Sequence, residues 1–183
     1  MDISLRPARP EDAEEMARWF VNLTELAQWG GPNVRFPLSE DQMAGWIAEL
    51  TNERPRLCLT AVDDGNVPIG HVQYLRDIAK KWARLGRFGV APKRRGQGFG
   101  RALFDHGVAH AFSELGVEHL VLAVARENTL ARAMYVRSGF RDEAEEVSVR
   151  SADGVSYIVD IMGLSRADWI TRNRAQASAA KVA

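Results

Sequence analysis

The chain has 183 residues, 46% of them hydrophobic, which is enough for one domain with a substantial core and too little for two comfortable ones. Its 24 basic and 24 acidic side chains cancel, which argues against a general nucleic-acid binder, and no apolar run approaches the roughly 18 residues a membrane span needs. The opening Met1-Asp-Ile-Ser-Leu-Arg6 lacks the basic-then-apolar order of an export signal, and Cys58 is the single cysteine, so no internal disulfide forms and a reducing cytoplasmic setting is expected.

Ile3 to Pro7 predicts a short strand, and Pro10-Glu-Asp12 opens a helix whose apolar positions include Met16, Trp19, Phe20 and Leu23. Gln28 to Leu38 reads as a loop from its glycine and proline content. Ser39 caps a second helix, with Glu40 and Asp41 in its first turn and Met43, Trp46, Ile47 and Leu50 on one face. Leu57 to Val62 and Pro68 to Leu75 alternate as strands around the hairpin turn Asp63-Asp-Gly-Asn66. A third strand, Ala83 to Val90, runs into a loop rich in arginine and glycine. The helix beyond it carries Phe99, Leu103, Val108, Phe112 and Leu115 and stops at Gly116. His119 to Ala125 is a dense apolar strand expected at the sheet centre, parallel to the third one. Asn128 or Thr129 caps a short helix closed by Gly139, and Ala144 to Val149 and Val155 to Met162 form a hairpin around Ser151-Ala-Asp-Gly154. The predicted class is mixed α/β: a mostly antiparallel sheet with a central parallel strand-helix-strand unit flanked by helices. Residues 1–171 form the single expected domain, and residues 172–183, rich in Ala, Ser, Arg and Lys, are expected to fray.

The segment Val90-Ala-Pro-Lys-Arg-Arg-Gly-Gln-Gly-Phe-Gly-Arg-Ala-Leu103 carries the chemistry. Gly96, Gly98 and Gly100 open backbone conformations in which successive N–H groups converge on an anion, and the helix that follows adds its positive end. Arg94, Arg95 and Arg101 supply forked donors suited to phosphate oxygens. A P-loop would need Lys-Ser or Lys-Thr after its last glycine, but Arg101-Ala102 follows Gly100; nor does Gly96 or Gly98 start a Gly-x-Gly-x-x-Gly fingerprint.

The arrangement Arg95-x-x-Gly98-x-Gly100 between a strand and a helix resembles the pyrophosphate loop of the GNAT-type N-acetyltransferases. A second block, Asn128-Thr-Leu-Ala131-Arg-Ala-Met-Tyr135-Val-Arg-Ser-Gly139-Phe140, is similar to that family's other signature, and both stand in the family's order. The resemblance covers roughly residues 57 to 165. It implies acetyl-CoA as co-substrate, no metal, and transfer of an acetyl group to a primary amine by direct attack through a tetrahedral intermediate. The acceptor is a small molecule or, alternatively, a peptide amino terminus; a non-catalytic acyl-CoA sensor is the alternative of another class. By the resemblance Phe88, Gly89 and Val90 hold the pantetheine arm and thioester through their main chain. Arg95, Gly96, Gln97, Gly98, Phe99, Gly100 and Arg101 hold the pyrophosphate, Asn128 touches the cofactor, and Tyr135 protonates the departing thiolate. Gly86 and Gly89 also predict a bulge or a close backbone approach, which would free backbone from the ladder.

Many family members carry a glutamate on the strand entering the loop, but Arg84-Leu-Gly-Arg87-Phe-Gly-Val90 holds no carboxylate. His71, or Glu40, Asp41 and Asp77 acting through water, are the remaining candidate bases, with an ordinary structural histidine the stronger reading of His71; an amine bound neutral needs none. Residues 1–60 hold ten acidic and six basic side chains against fourteen and eighteen in the rest, a polarity suited to an anionic cofactor and a cationic amine. Trp29, Phe36 and Trp46 are candidates for the acceptor cleft, with Glu25, Glu40 or Asp41 to attract a cation; core packing and helix-dipole roles are the simpler reading of each. A homodimer is one possible assembly, and neither nucleic acid nor membrane is an expected partner.

Overall fold

A computed structural model describes residues 4–31, 34–51, 56–150, 154 and 156–180. Its strands are β1 (Ser4–Pro7), β2 (Arg56–Val62), β3 (Pro68–Asp77), β4 (Trp82–Val90), β5 (His119–Ala125), β6 (Arg141–Arg150) and β7 (Ser156–Ser165). They form one sheet in the order β1-β2-β3-β4-β5-β7-β6, antiparallel throughout except for the β4–β5 pair. The mixed sheet expected from the sequence is therefore present, with the parallel pair made by the crossover helix α4 (Phe99–Ser113). The expected Ile3, and all of the 151–154 turn but Gly154, lie outside the described residues.

Strand alternation divides the core between two faces. Leu59, Val72, Tyr74, Ala83, Leu85, Leu120, Leu122 and Val124 point to one side, where they bury Phe104, Val108 and Phe112 of α4 and Tyr135 of α5 (Thr129–Arg137). Cys58 joins the core on the other side, against Met16, Trp19, Leu26, Trp29, Met43 and Ile47 of the amino-terminal helices. The long apolar runs of α4 and β5 are buried because a central crossover unit meets neighbours on both sides.

The amino-terminal region departs from the sequence reading. The helix expected from Pro10 past Phe20 is a 3-10 turn at Pro10–Asp12 and a single short helix, α1 (Ala13–Ala17), after which the chain restarts as α2 (Leu23–Gly30). Asn22 causes the restart: its side chain accepts the Glu25 N–H at 2.9 Å, a cap that competes with helix continuation. The intervening turn still buries Trp19 and Phe20. The loop expected from Gln28 consequently begins only after Gly30. Helix α3 (Glu40–Thr51) starts as predicted, with Ser39 Oγ accepting the Gln42 N–H at 3.1 Å.

At the other end, α6 (Arg166–Ala180) includes the segment from Arg172 that was expected to fray. Ser165 caps it, Trp169 packs its ring 5.2 Å from Phe112, and Arg172 donates to the Arg137 carbonyl. Alanine-rich sequence anchored at its first turns continues as helix at little cost. Among the described residues no helix is long and apolar enough to cross a membrane, and no group of three His, Cys, Asp or Glu side chains is placed to hold a metal ion.

Candidate active site

The site starts from a parting of two strands. β4 and β5 pair from Trp82–His119 to Leu85–Leu122 and no further, although both run on, to Val90 and Ala125. On its other side β4 carries the expected bulge: His71 and Gln73 of β3 oppose Gly89 and Gly86, so β4 has one residue more than its partner there. Arg87 sits at the bulge with φ +44°, in the left-handed region. The edge of β4 from Gly86 to Val90 that would have met β5 therefore has no partner strand on that side.

A tryptophan holds this bend. Trp29, near the end of α2, donates its indole N–H to the Arg87 carbonyl at 2.9 Å and lies 4.5 Å from the Phe20 ring. Gly89 makes the approach possible: a Cβ there would stand 2.9 Å from Trp29 Nε1. The Arg87 guanidinium lies 4.3 Å from the centroid of the Trp46 ring and donates to Gln73 Oε1 at 3.2 Å.

The gap opens into a cavity of about 520 Å³. One wall is Leu85 to Val90, the opposite wall is Leu122 to Val124 with Asn128, Ala131, Met134 and Tyr135, and Arg95, Gly96 and Gly100 close one end. This volume lies in the range of small-molecule and cofactor sites. Helix α4 begins at that end with Gly98 as its cap at φ +79°, without a side-chain cap, and Gly96 is at φ +73°. First-turn amides of a helix have no intrahelical acceptor, and those of α4 stand at this end of the cavity with no side-chain cap.

The arginines of the loop behave differently from the sequence reading. Arg95 donates Nε to the Val90 carbonyl, Nη2 to the Trp19 carbonyl and Nη1 to Glu25, each at 3.0 Å. Its guanidinium thus clamps the loop to the amino-terminal helices. Arg94 pairs with Asp63 at 3.7 Å and Arg101 Nε with Asp105 at 2.6 Å. Phe99 is buried with Ala61, Val90 and Leu103, so its side chain is structural. Of the twelve candidate residues, Phe88, Gly89, Val90, Arg95, Gly96, Gly100, Asn128 and Tyr135 line the cavity; Gln97, Gly98, Phe99 and Arg101 do not. Trp29, Leu130 and Met134 line it without having been assigned to the cofactor, because only their distance from Gly86 to Val90 in space reveals the contact.

Asn128 caps α5 by accepting the Ala131 N–H at 3.2 Å. Its loop is braced by Arg126 and Arg132, which meet Asp160 of β7 at 2.7 and 3.1 Å, and Arg132 also holds Asp142. Tyr135 packs its ring 4.8 Å from Phe104, and burial pushes its phenol up to about 12. It is therefore a hydrogen-bond donor at any ordinary pH.

No candidate base occupies the cavity. His71 is fully buried with Nε2 3.1 Å from Cys58 Sγ; burial, and then the Arg87 charge, push it down to about 3. Burial likewise pushes the Cys58 thiol up to about 12, so both groups are neutral and structural. Asp77 faces Trp82, at the far end of the hairpin from the loop, and Glu40 and Asp41 are exposed on α3. Glu25 borders the cavity but is paired with Arg95.

A second cavity of about 270 Å³ shares Gln28, Trp29, Leu85, Gly86, Arg87 and Ala123 with the first, so the two meet at the parted strands. Trp29 lines both, whereas Phe36 and Trp46 line neither.

Comparisons with known proteins agree with this geometry. A mycothiol acetyltransferase of Geodermatophilus obscurus is 45% identical over 64 residues, 35% of this chain and 20% of that protein. A spermidine N(1)-acetyltransferase of Vibrio cholerae is 29% identical over 84 residues, 46% of this chain and 49% of that protein. The chain thus spans between a fifth and a half of the length of these curated relatives. In fold it matches the spermidine N-acetyltransferase from Vibrio cholerae solved with CoA and spermine, with a TM-score of 0.77 at 20% identity over 92% of this chain and 98% of that one. The model of the acetyltransferase (GNAT) family matches residues 20–140, well over half of the sequence. The chain belongs to that family.

Proposed function

We propose that the protein is an acetyl-CoA-dependent N-acetyltransferase that moves an acetyl group to the primary amine of a small molecule. One observation carries this reading: β4 parts from β5 after Leu85, beside a bulge, and Tyr135 stands on the opposite wall of the gap. The first-turn amides of α4 bind the pyrophosphate, and the backbone of Gly86 to Val90, freed from β5, aligns the pantetheine arm and polarises the thioester carbonyl.

The amine nitrogen attacks that carbonyl carbon from the side of the smaller cavity, forming a tetrahedral intermediate. Its collapse breaks the carbon–sulfur bond, and the sulfur leaves with the electron pair. Full transfer of a proton from a phenol held near 12 to a thiolate of lower basicity is uphill. Tyr135 therefore serves by donating a hydrogen bond to the developing thiolate, and the proton that neutralises sulfur comes from the attacking nitrogen. Glu25, the carboxylate among the described residues that line the cavity, is paired with Arg95, so the amine enters neutral or gives its first proton to water.

Residues 1–171 as one acetyltransferase unit and a cytoplasmic setting belong to the same reading; so does a homodimer, which sedimentation would detect. Thiol release from acetyl-CoA, measured over amines and peptides with free amino termini, tests the function. Turnover of small amines supports it. Turnover of peptides alone moves the substrate to protein amino termini, and CoA binding without turnover of any acceptor makes the protein a sensor.

A further inference from the structure

The smaller cavity has a charge of its own. Its polar lining is Gln28, Gln73, Arg84, Arg87 and Tyr157, and no aspartate or glutamate is among the described residues that line it. Arg87 is held by Gln73 and the Trp46 ring and contributes its field from that fixed place. Arg84 differs: it is exposed, and no described carboxylate pairs with it. It lies on the same face of β4 as Gly86, which has no partner on β5, since strand side chains alternate, and opposite Val121 of β5. Gly86 is also where the two cavities meet. An acceptor with its nitrogen at Gly86 therefore extends along β4 toward the Arg84 guanidinium, two residues and ~7 Å away at the backbone.

A polyamine placed there would bring a second ammonium group against guanidinium charge, with no described acid in the lining to receive it. An anion would meet a forked donor matched to its oxygens. Resting on the acetyltransferase reading above, we infer that the acceptor is a short amine carrying an anionic group, a carboxylate or a phosphate, with Arg84 as the residue that selects it. The specificity would then be opposite in sign to that in the name of the structurally similar spermidine enzyme.

The test uses sets of amines matched in skeleton, each with an anionic, a neutral and a cationic member: 5-aminopentanoate, pentylamine and cadaverine, and the corresponding two- and three-carbon sets, with 2-aminoethyl phosphate against 3-aminopropanoate to separate phosphate from carboxylate. The anionic members should lead in kcat/KM by at least tenfold over the cationic ones. Arg84→Ala should remove most of that lead through KM, with kcat on the neutral amine and the KM for acetyl-CoA unchanged, and Arg84→Lys should restore part of it. A best substrate that is cationic, or an anion preference untouched by Arg84→Ala, overturns the inference. Titration of the N-acetylated products into CoA-bound protein keeps the two readings apart. If acetylated anions bind more tightly than acetylated cations while no amine is turned over, the charge preference stands and the transferase reading falls. If neither class binds, both fall.

Discussion

Tyr135→Phe isolates one oxygen. The ring keeps its contacts with Phe104 at 4.8 Å and Phe140 at 6.3 Å, and the hydroxyl makes no hydrogen bond with any described residue. Deleting a buried hydroxyl with no partner should leave stability within about 1 kcal/mol of the parent. CoA affinity should change by less than about threefold, because the cofactor is held by backbone of β4 and α4. What is lost is a fixed donor to the sulfur as it gains charge, a class of interaction worth ~10²–10³ in kcat, or about 3–4 kcal/mol. Because burial holds the phenol near 12, the wild-type hydroxyl stays protonated and the loss should be the same from pH 7 to 9.5. Thiol release under saturating acetyl-CoA, beside calorimetric titration of CoA, separates the effects. A kcat within twofold of the parent, or a loss of turnover matched by a loss of CoA binding, refutes the role.

Gly98→Asp places a side chain at φ +79° and a negative charge at the first turn of α4, and should weaken CoA binding by at least a hundredfold while circular dichroism shows the fold retained. Trp29→Phe keeps an aromatic ring beside Phe20 but deletes the donor to the Arg87 carbonyl. It should cost about 1 kcal/mol in denaturant unfolding and lower kcat more than its effect on CoA binding accounts for. Asp12 is buried, which by itself would raise its pKa. Arg6, the Arg9 N–H and Thr60 outweigh burial and leave it lowered. A lowered carboxyl contributes stability that is present above the ordinary value of about 4 and lost as pH falls through the folded value. Asp12→Asn should therefore be less stable than the parent at pH 7, and the difference should shrink between about pH 4 and pH 2 when followed by denaturant unfolding.

Local structure was legible in the sequence where one segment contained the whole device. The run from Val90 to Leu103 and the block from Asn128 to Phe140 each carry their own cap, glycine and helix, and Gly86 with Gly89 signalled the bulge found in β4. Devices assembled from distant residues were not legible. The Arg95 guanidinium goes to the Trp19 carbonyl, 76 positions away, and the Trp29 indole to the Arg87 carbonyl, 58 away; no local window relates those pairs. The split between α1 and α2 turns on a single cap at Asn22 within a run whose apolar spacing still reads as helix. The helix after Arg172 depends on Trp169 meeting Phe112, a contact that only the folded chain supplies.

A crystal structure with CoA bound tests the central claim most directly. The account predicts the pyrophosphate at the first turn of α4 near Gly96 to Gly100, the pantetheine arm along Gly86 to Val90, and the sulfur within hydrogen-bonding distance of the Tyr135 hydroxyl. CoA bound elsewhere, or a sulfur on the far side of β4 from Tyr135, contradicts it.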